Sequence, residues 1–137
     1  MRICALLALV LLGVACGSAA GQPAARLHGT VTYTRSGGFA GLYQQLRVDR
    51  QGRARATRFK PANRRSFRVS ARDRGRLADA LRKADLAHVR IGKSPPMSDA
   101  FHYTLTYRRY RLAFDQGNMP LQLRPPVRLL DRLMARR

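Results

Sequence analysis

The chain has 137 residues and a mass of 15.4 kDa, enough for one compact domain and too little for a multidomain enzyme. It carries 27 Lys and Arg against 7 Asp and Glu, a formal net charge of +20 at pH 7, yet 45% hydrophobic residues exclude a merely disordered basic tail. Only Lys60, Lys83 and Lys93 are lysines, and every acidic residue is an aspartate. A charge of this size points first to a polyanionic partner, nucleic acid or an anionic membrane.

Residues 1–21 change that expectation. Arg2 precedes an apolar run from Ile3 to Leu12, and small residues follow, the layout of a secretory signal peptide too short to span a bilayer as a helix. Cys16 follows Gly13-Val14-Ala15 and precedes Gly17 and Ser18, an arrangement like a bacterial lipobox with Gly where an aliphatic residue is usual. The expected processing is a signal peptide over 1–16 with lipidation of Cys16. Cleavage near Ala19 or Ala20 with simple secretion, or an uncleaved anchor, are the alternatives. The expected location is therefore outside the cytoplasm: lipid-anchored on the cell membrane, or else secreted or periplasmic. Nucleic acid is not expected as a partner of an exported protein, and lipid headgroups or cell-wall polymers take its place.

Residues 17–26 are small and polar, a tether reaching roughly 30 Å if extended. The folded domain is expected over 27–137. From Leu27 to Arg35 the residues alternate, with Leu27, Val31 and Tyr33 on one face and Thr30, Thr32 and Thr34 on the other, which predicts a strand. Ser36-Gly37-Gly38-Phe39-Ala40-Gly41 interrupts it with three glycines. A second strand over 42–48 places Leu42, Gln44, Leu46 and Val48 together, and the turn Asp49-Arg50-Gln51-Gly52 returns the chain along 53–59 as a hairpin. Pro61 is expected to end that strand, leaving a short extended piece over 66–69.

Ser70, with Asp73 three residues later, predicts a helix N-terminus, and Leu77, Ala80, Leu81 and Ala84 its buried stripe. A Gly- and Pro-bearing loop covers 91–98. Residues 101–107 then alternate, Phe101, Tyr103, Leu105 and Tyr107 against His102, Thr104 and Thr106, and Arg108-Arg109 turns them into 110–114. Pro125-Pro126 opens a terminal helix with Val127, Leu130 and Met134 on its apolar face, flanked by Leu129 and Leu133. The order predicts an α+β fold: a small, mostly antiparallel sheet of hairpins with two helices on one face.

Catalysis is not expected. His28, His88 and His102 form no metal-binding pair, the aspartates are dispersed, and both cysteines, Cys4 and Cys16, lie in the leader. No nucleophile elbow or phosphate-binding loop is present. No metal site and no cofactor are expected. Two readings of the glycine-rich segment remain open on its residues alone. Either it is an ordinary turn whose Phe39 folds back on the core, or it is a presented loop that offers an aromatic anchor to a partner.

The segment RSGGFAG at 35–41 resembles the opening of the emfourin-type family, small protein inhibitors of thermolysin-like zinc metalloproteases. The similarity continues through Asp99-Ala100-Phe101-His102-Tyr103-Thr104-Leu105-Thr106, then Gly117-Asn118-Met119-Pro120, and the terminal Leu129-Leu130-x-x-Leu133 helix. These blocks span roughly 29–134 in the family's order. The chain differs in its leader, in the arginine-rich stretch 51–65 and in its positive charge. The resemblance implies a monomeric inhibitor that inserts Ser36, Gly37, Gly38, Phe39, Ala40, Gly41 and Leu42 into a protease cleft. Phe39 or Leu42 would fill the pocket for a bulky apolar side chain past the scissile bond, with Asp99 and His102 as secondary contacts. The competing expectation is a basic cell-surface lipoprotein that uses the arginines of 47–68 to bind anionic membrane or cell-wall polymer without inhibiting a protease. Against this second expectation stands a plain preference for arginine in the composition, giving solvated faces.

Overall fold

A computed structural model describes residues 25–59 and 61–136. The predicted leader, Cys16 and the tether as far as residue 24 lie outside these residues. Six strands form one sheet: β1 (Val31–Gly37), β2 (Leu42–Val48), β3 (Arg53–Phe59), β4 (Ala62–Arg68), β5 (Phe101–Tyr107) and β6 (Tyr110–Asp115). The spatial order is β4-β3-β2-β1-β5-β6, and every neighbouring pair is antiparallel. Helix α1 (Ala71–Ala84) joins β4 to β5 across the sheet, and α2 (Arg124–Ala135) closes the chain after a 3₁₀ turn at Leu121–Leu123.

Both helices cover one face, as the alternation of the strands requires. Val31 and Tyr33 face Val48 and Leu46 on one side and Tyr107 and Leu105 on the other, so one continuous apolar surface crosses the central strands. Against it pack Leu77, Leu81, Leu123, Leu130 and Leu133, all buried. Tyr33 runs from the centre of the sheet to α2, where its hydroxyl donates to Asp131 at 2.8 Å. Burial and the adjacent Asp131 carboxylate push the phenol well above the ordinary tyrosine range. Gln44, on the same face, is the buried polar residue among the described residues; its side-chain oxygen accepts from the Arg58 guanidinium at 2.7 and 3.0 Å.

Several boundaries differ from the sequence expectation. β1 begins at Val31, not Leu27; Leu27 is nevertheless buried and packs on the core ahead of the strand. β4 is a full strand from Ala62, because Phe59 pairs with Ala62 and Pro61 sits in the tight turn between β3 and β4. A proline there gives up no ladder hydrogen bond, so it turns the chain without ending the sheet. In α1 the buried stripe is Leu77, Ala78, Leu81 and Ala84, with Ala80 only half-buried. The predicted cap stands: Ser70 Oγ accepts from the Asp73 backbone N–H at 3.1 Å.

Candidate functional site

The strand registers define two ends of the sheet. β1 enters at Val31 and leaves, roughly 20 Å on, at Gly37. The turns β1–β2 and β3–β4 and the start of β5 share the far end, which we call the loop end. Gly37 pairs with both Leu42 and Phe101, so the β1–β2 turn is only four residues long, Gly38-Phe39-Ala40-Gly41. Ser36 and Gly37, expected in the loop, belong to the ladder. The turn closes on itself, since the Gly41 N–H donates to the Gly38 carbonyl at 3.0 Å.

Glycine is required at 37 and 38 for two separate reasons. Both have positive φ, +102° and +72°, where a side chain is strained. Both also lie against the connection leading into β5: a Cβ on Gly37 would overlap the Ala100 carbonyl oxygen, and one on Gly38 would sit 2.8 Å from the Phe101 ring. The Gly38 N–H donates to that same Ala100 carbonyl at 3.4 Å. Phe101 also carries the Arg35 guanidinium over its ring, 4.0 Å from the centroid. The turn is therefore buttressed at its base while its tip stands clear.

At that tip Phe39 is 96% exposed. The structure thus overturns the possibility that Phe39 folds back on the core. Ala40 and Gly41 beside it are exposed as well. Leu42, the other candidate for an apolar pocket, is half-buried and lies in the ladder opposite Gly37, on the face that carries the core. Of the two, Phe39 alone stands free.

The structure brings His102 to the base of the loop. Its side chain shares the helix-free face of the sheet with Ser36, its direct partner, and with Asp115 on β6. Asp99 is exposed in the turn just before Ala100, at the same end of the sheet. No cluster of three His, Cys, Asp or Glu side chains able to hold a metal exists among the described residues. Asp115 is tied instead to the neighbouring loop. Ser94 Oγ donates to it at 2.6 Å, and the Gly117 and Asn118 N–H groups donate at 2.7 and 3.1 Å. These bonds hold its carboxyl below the usual range, led by the one from Ser94. Asn118 Nδ2 reaches the Gly92 carbonyl at 2.8 Å, so the connection behind the site is pinned to the β6 turn.

Two parts of this end were not foreseen. One is the Ala100–Phe101 buttress. The other is an aromatic pair on the helix-free face, where Tyr43 meets Phe59 edge to face with ring centroids 5.0 Å apart, and Phe59 is 59% exposed. Tyr43 pairs with Ser36, so the ring pair continues the row His102–Ser36 across the sheet. Alternation in 42–48 and 53–59 could have placed both rings on one face, but only the register sets them side by side.

No helix among the described residues is long and apolar enough to cross a membrane. No family model matches the chain, and no curated protein matches it.

Proposed function

We propose that the chain is an exported, lipid-anchored protein of emfourin-like type that inhibits a thermolysin-like zinc metalloprotease by inserting the 36–41 segment into its cleft. The observation that carries this reading is Phe39, 96% exposed at the tip of a four-residue turn whose base is fixed by Ala100 and Phe101. A large apolar side chain held away from its own core is unexplained by folding and suits a pocket on a partner. The rest of the turn suits the same role. Glycine and alanine on either side of Phe39 leave the backbone slim enough to approach a buried metal, and a buttressed loop loses little entropy on binding. β1 is hydrogen-bonded on both sides, by β2 and β5, so the turn at its end cannot swing without breaking a ladder.

In this proposal the chain contributes no catalysis, cofactor or metal; the zinc belongs to the protease. Phe39 occupies the pocket past the scissile bond, the turn's carbonyls and N–H groups line the cleft, and Asp99 and His102 meet its rim. The test is to titrate the purified chain into a thermolysin-like protease and follow cleavage of a small peptide substrate. Stoichiometric, reversible loss of activity that changes little with ionic strength supports the proposal, because an apolar anchor is insensitive to screening. Full protease activity with excess chain present overturns it.

A further inference from the structure

The helix-free face of the sheet has a polarity of its own. Reading directly opposed residues across the strands, the row nearest the loop holds Tyr43, Ser36, His102 and Asp115, with Phe59 and its partner Ala62 beside Tyr43, and no arginine. The next row holds Arg64, Thr57, Gln45, Thr34, Thr104 and Ala113. The third reads Ser66, Arg55, Arg47, Thr32, Thr106 and Arg111, and beyond it Arg53 opposes Arg68. Five arginines thus gather at the end where the chain runs into β1, all of them exposed. Asp49, the acid nearby, is already engaged, bonded to Arg53 at 2.6 Å. Arg47, Arg55 and Arg111 have no ion-pair or hydrogen-bond partner among the described residues.

Arg47 and Arg55 are moreover directly opposed on adjacent strands. Like charges in that position destabilise a sheet, and the nearby Asp49 is ion-paired with Arg53 instead of with either of them. An external anion would offset this pair. We infer that this half of the open face docks on an anionic phospholipid surface, and that it does so with the 36–41 loop pointing away from the bilayer. Two observations select a membrane over a single polyanionic strand. The arginines are spread from β4 to β6, about 24 Å across the sheet, so they match a plane of headgroups better than one line of charges. They also lie at the end where residues 25–30 join β1, so attachment through residues further towards the N-terminus brings this end nearer the membrane than the loop. The inference shares with the proposed function only the attachment at Cys16 and does not require protease inhibition.

The test compares binding of the full exported chain to vesicles of phosphatidylcholine alone and of phosphatidylcholine mixed with phosphatidylglycerol. A lipid on Cys16 would act on both kinds of vesicle, so the preference for the anionic kind is the readout. Each arginine near such a surface contributes roughly fivefold. The combined variant Arg47→Gln, Arg55→Gln, Arg111→Gln is therefore expected to lose about 100-fold of the preference. A control of equal charge on α2, Arg124→Gln, Arg128→Gln, Arg132→Gln, loses less than about fivefold. Wild-type preference should also collapse between about 0.01 M and 1 M salt, as the Debye length falls from about 30 to about 3 Å. Equal losses from both triple variants, or no preference for anionic vesicles, overturn the inference. So does capture of a soluble glycerol-phosphate polymer by a chain that ignores anionic vesicles.

Discussion

Replacing Phe39 with alanine separates folding from binding more cleanly than any other change in this molecule. The side chain is 96% exposed, so its loss removes almost no contact from the folded domain, and the unfolding midpoint should stay within the scatter of surface substitutions, about 0.5 kcal/mol. On insertion into an apolar pocket the same ring would pass from water to full burial, which contributes about 2–3 kcal/mol. That corresponds to an inhibition constant weakened about 30- to 150-fold. The assay is a protease titration at several substrate concentrations, run beside thermal unfolding of both proteins. Phe39→Leu serves as the companion: it retains a bulky apolar group and should stay within about tenfold of the wild type. An inhibition constant unchanged by Phe39→Ala, with an unchanged melting curve, would remove the loop from the mechanism.

Gly37→Ala places a methyl group on the Ala100 carbonyl at a φ of +102°, so it should lower stability by about 1–3 kcal/mol in denaturant unfolding and weaken inhibition with it. Tyr33→Phe removes the donor to Asp131 and should cost about 1–2 kcal/mol at neutral pH. The sign of its pH dependence follows from the raised phenol pKa: the unfolded chain releases that proton near pH 10 while the folded chain keeps it, so wild-type stability should fall above about pH 10 and the variant's should fall less. Arg55→Thr relieves the opposed arginine pair and should raise stability by about 0.2–1 kcal/mol in urea unfolding while weakening attachment to anionic vesicles. A loss of stability there would show that Arg55 is held by the fold.

Much of the architecture was legible because its signals are local. Phe101–Tyr107 alternates without interruption, Ser70 and Asp73 mark a cap, and the paired prolines open α2, and each of these elements appears where its residues place it. β4 was only partly legible, since Ala62-Asn63-Arg64-Arg65-Ser66 has no apolar alternation and belongs to the sheet through its pairing with β3. The same distinction governs the site. The glycines and Phe39 mark a special turn on sight. That the turn has four residues, and that Ala100 and Phe101 hold its base, depends on the contact of β1 with β5, more than sixty residues further along the chain. Tyr43 and Phe59 are likewise brought together by register, which no spacing within either strand reveals.

The arginines can be sorted by what each strand needs. β4 and β6 are the sheet's edges, and an edge strand must be blunted against pairing with another chain, for which charged side chains serve well. Arg64 and Arg68 on β4 and Arg111 on β6 meet that need in addition to any part in the charged face, so they do not by themselves argue for a partner. Arg47 and Arg55 meet no such need. They stand on β2 and β3, both fully paired interior strands with no edge to protect, and they oppose one another where threonine, as at Thr32 and Thr106 in the same row, would cost nothing. A preference for arginine over lysine accounts for the kind of cation but not for two cations facing each other. A partner that supplies negative charge to that row accounts for both, and it is this interior pair, not the total of +20, that argues for an anionic surface at the end of the sheet opposite Phe39.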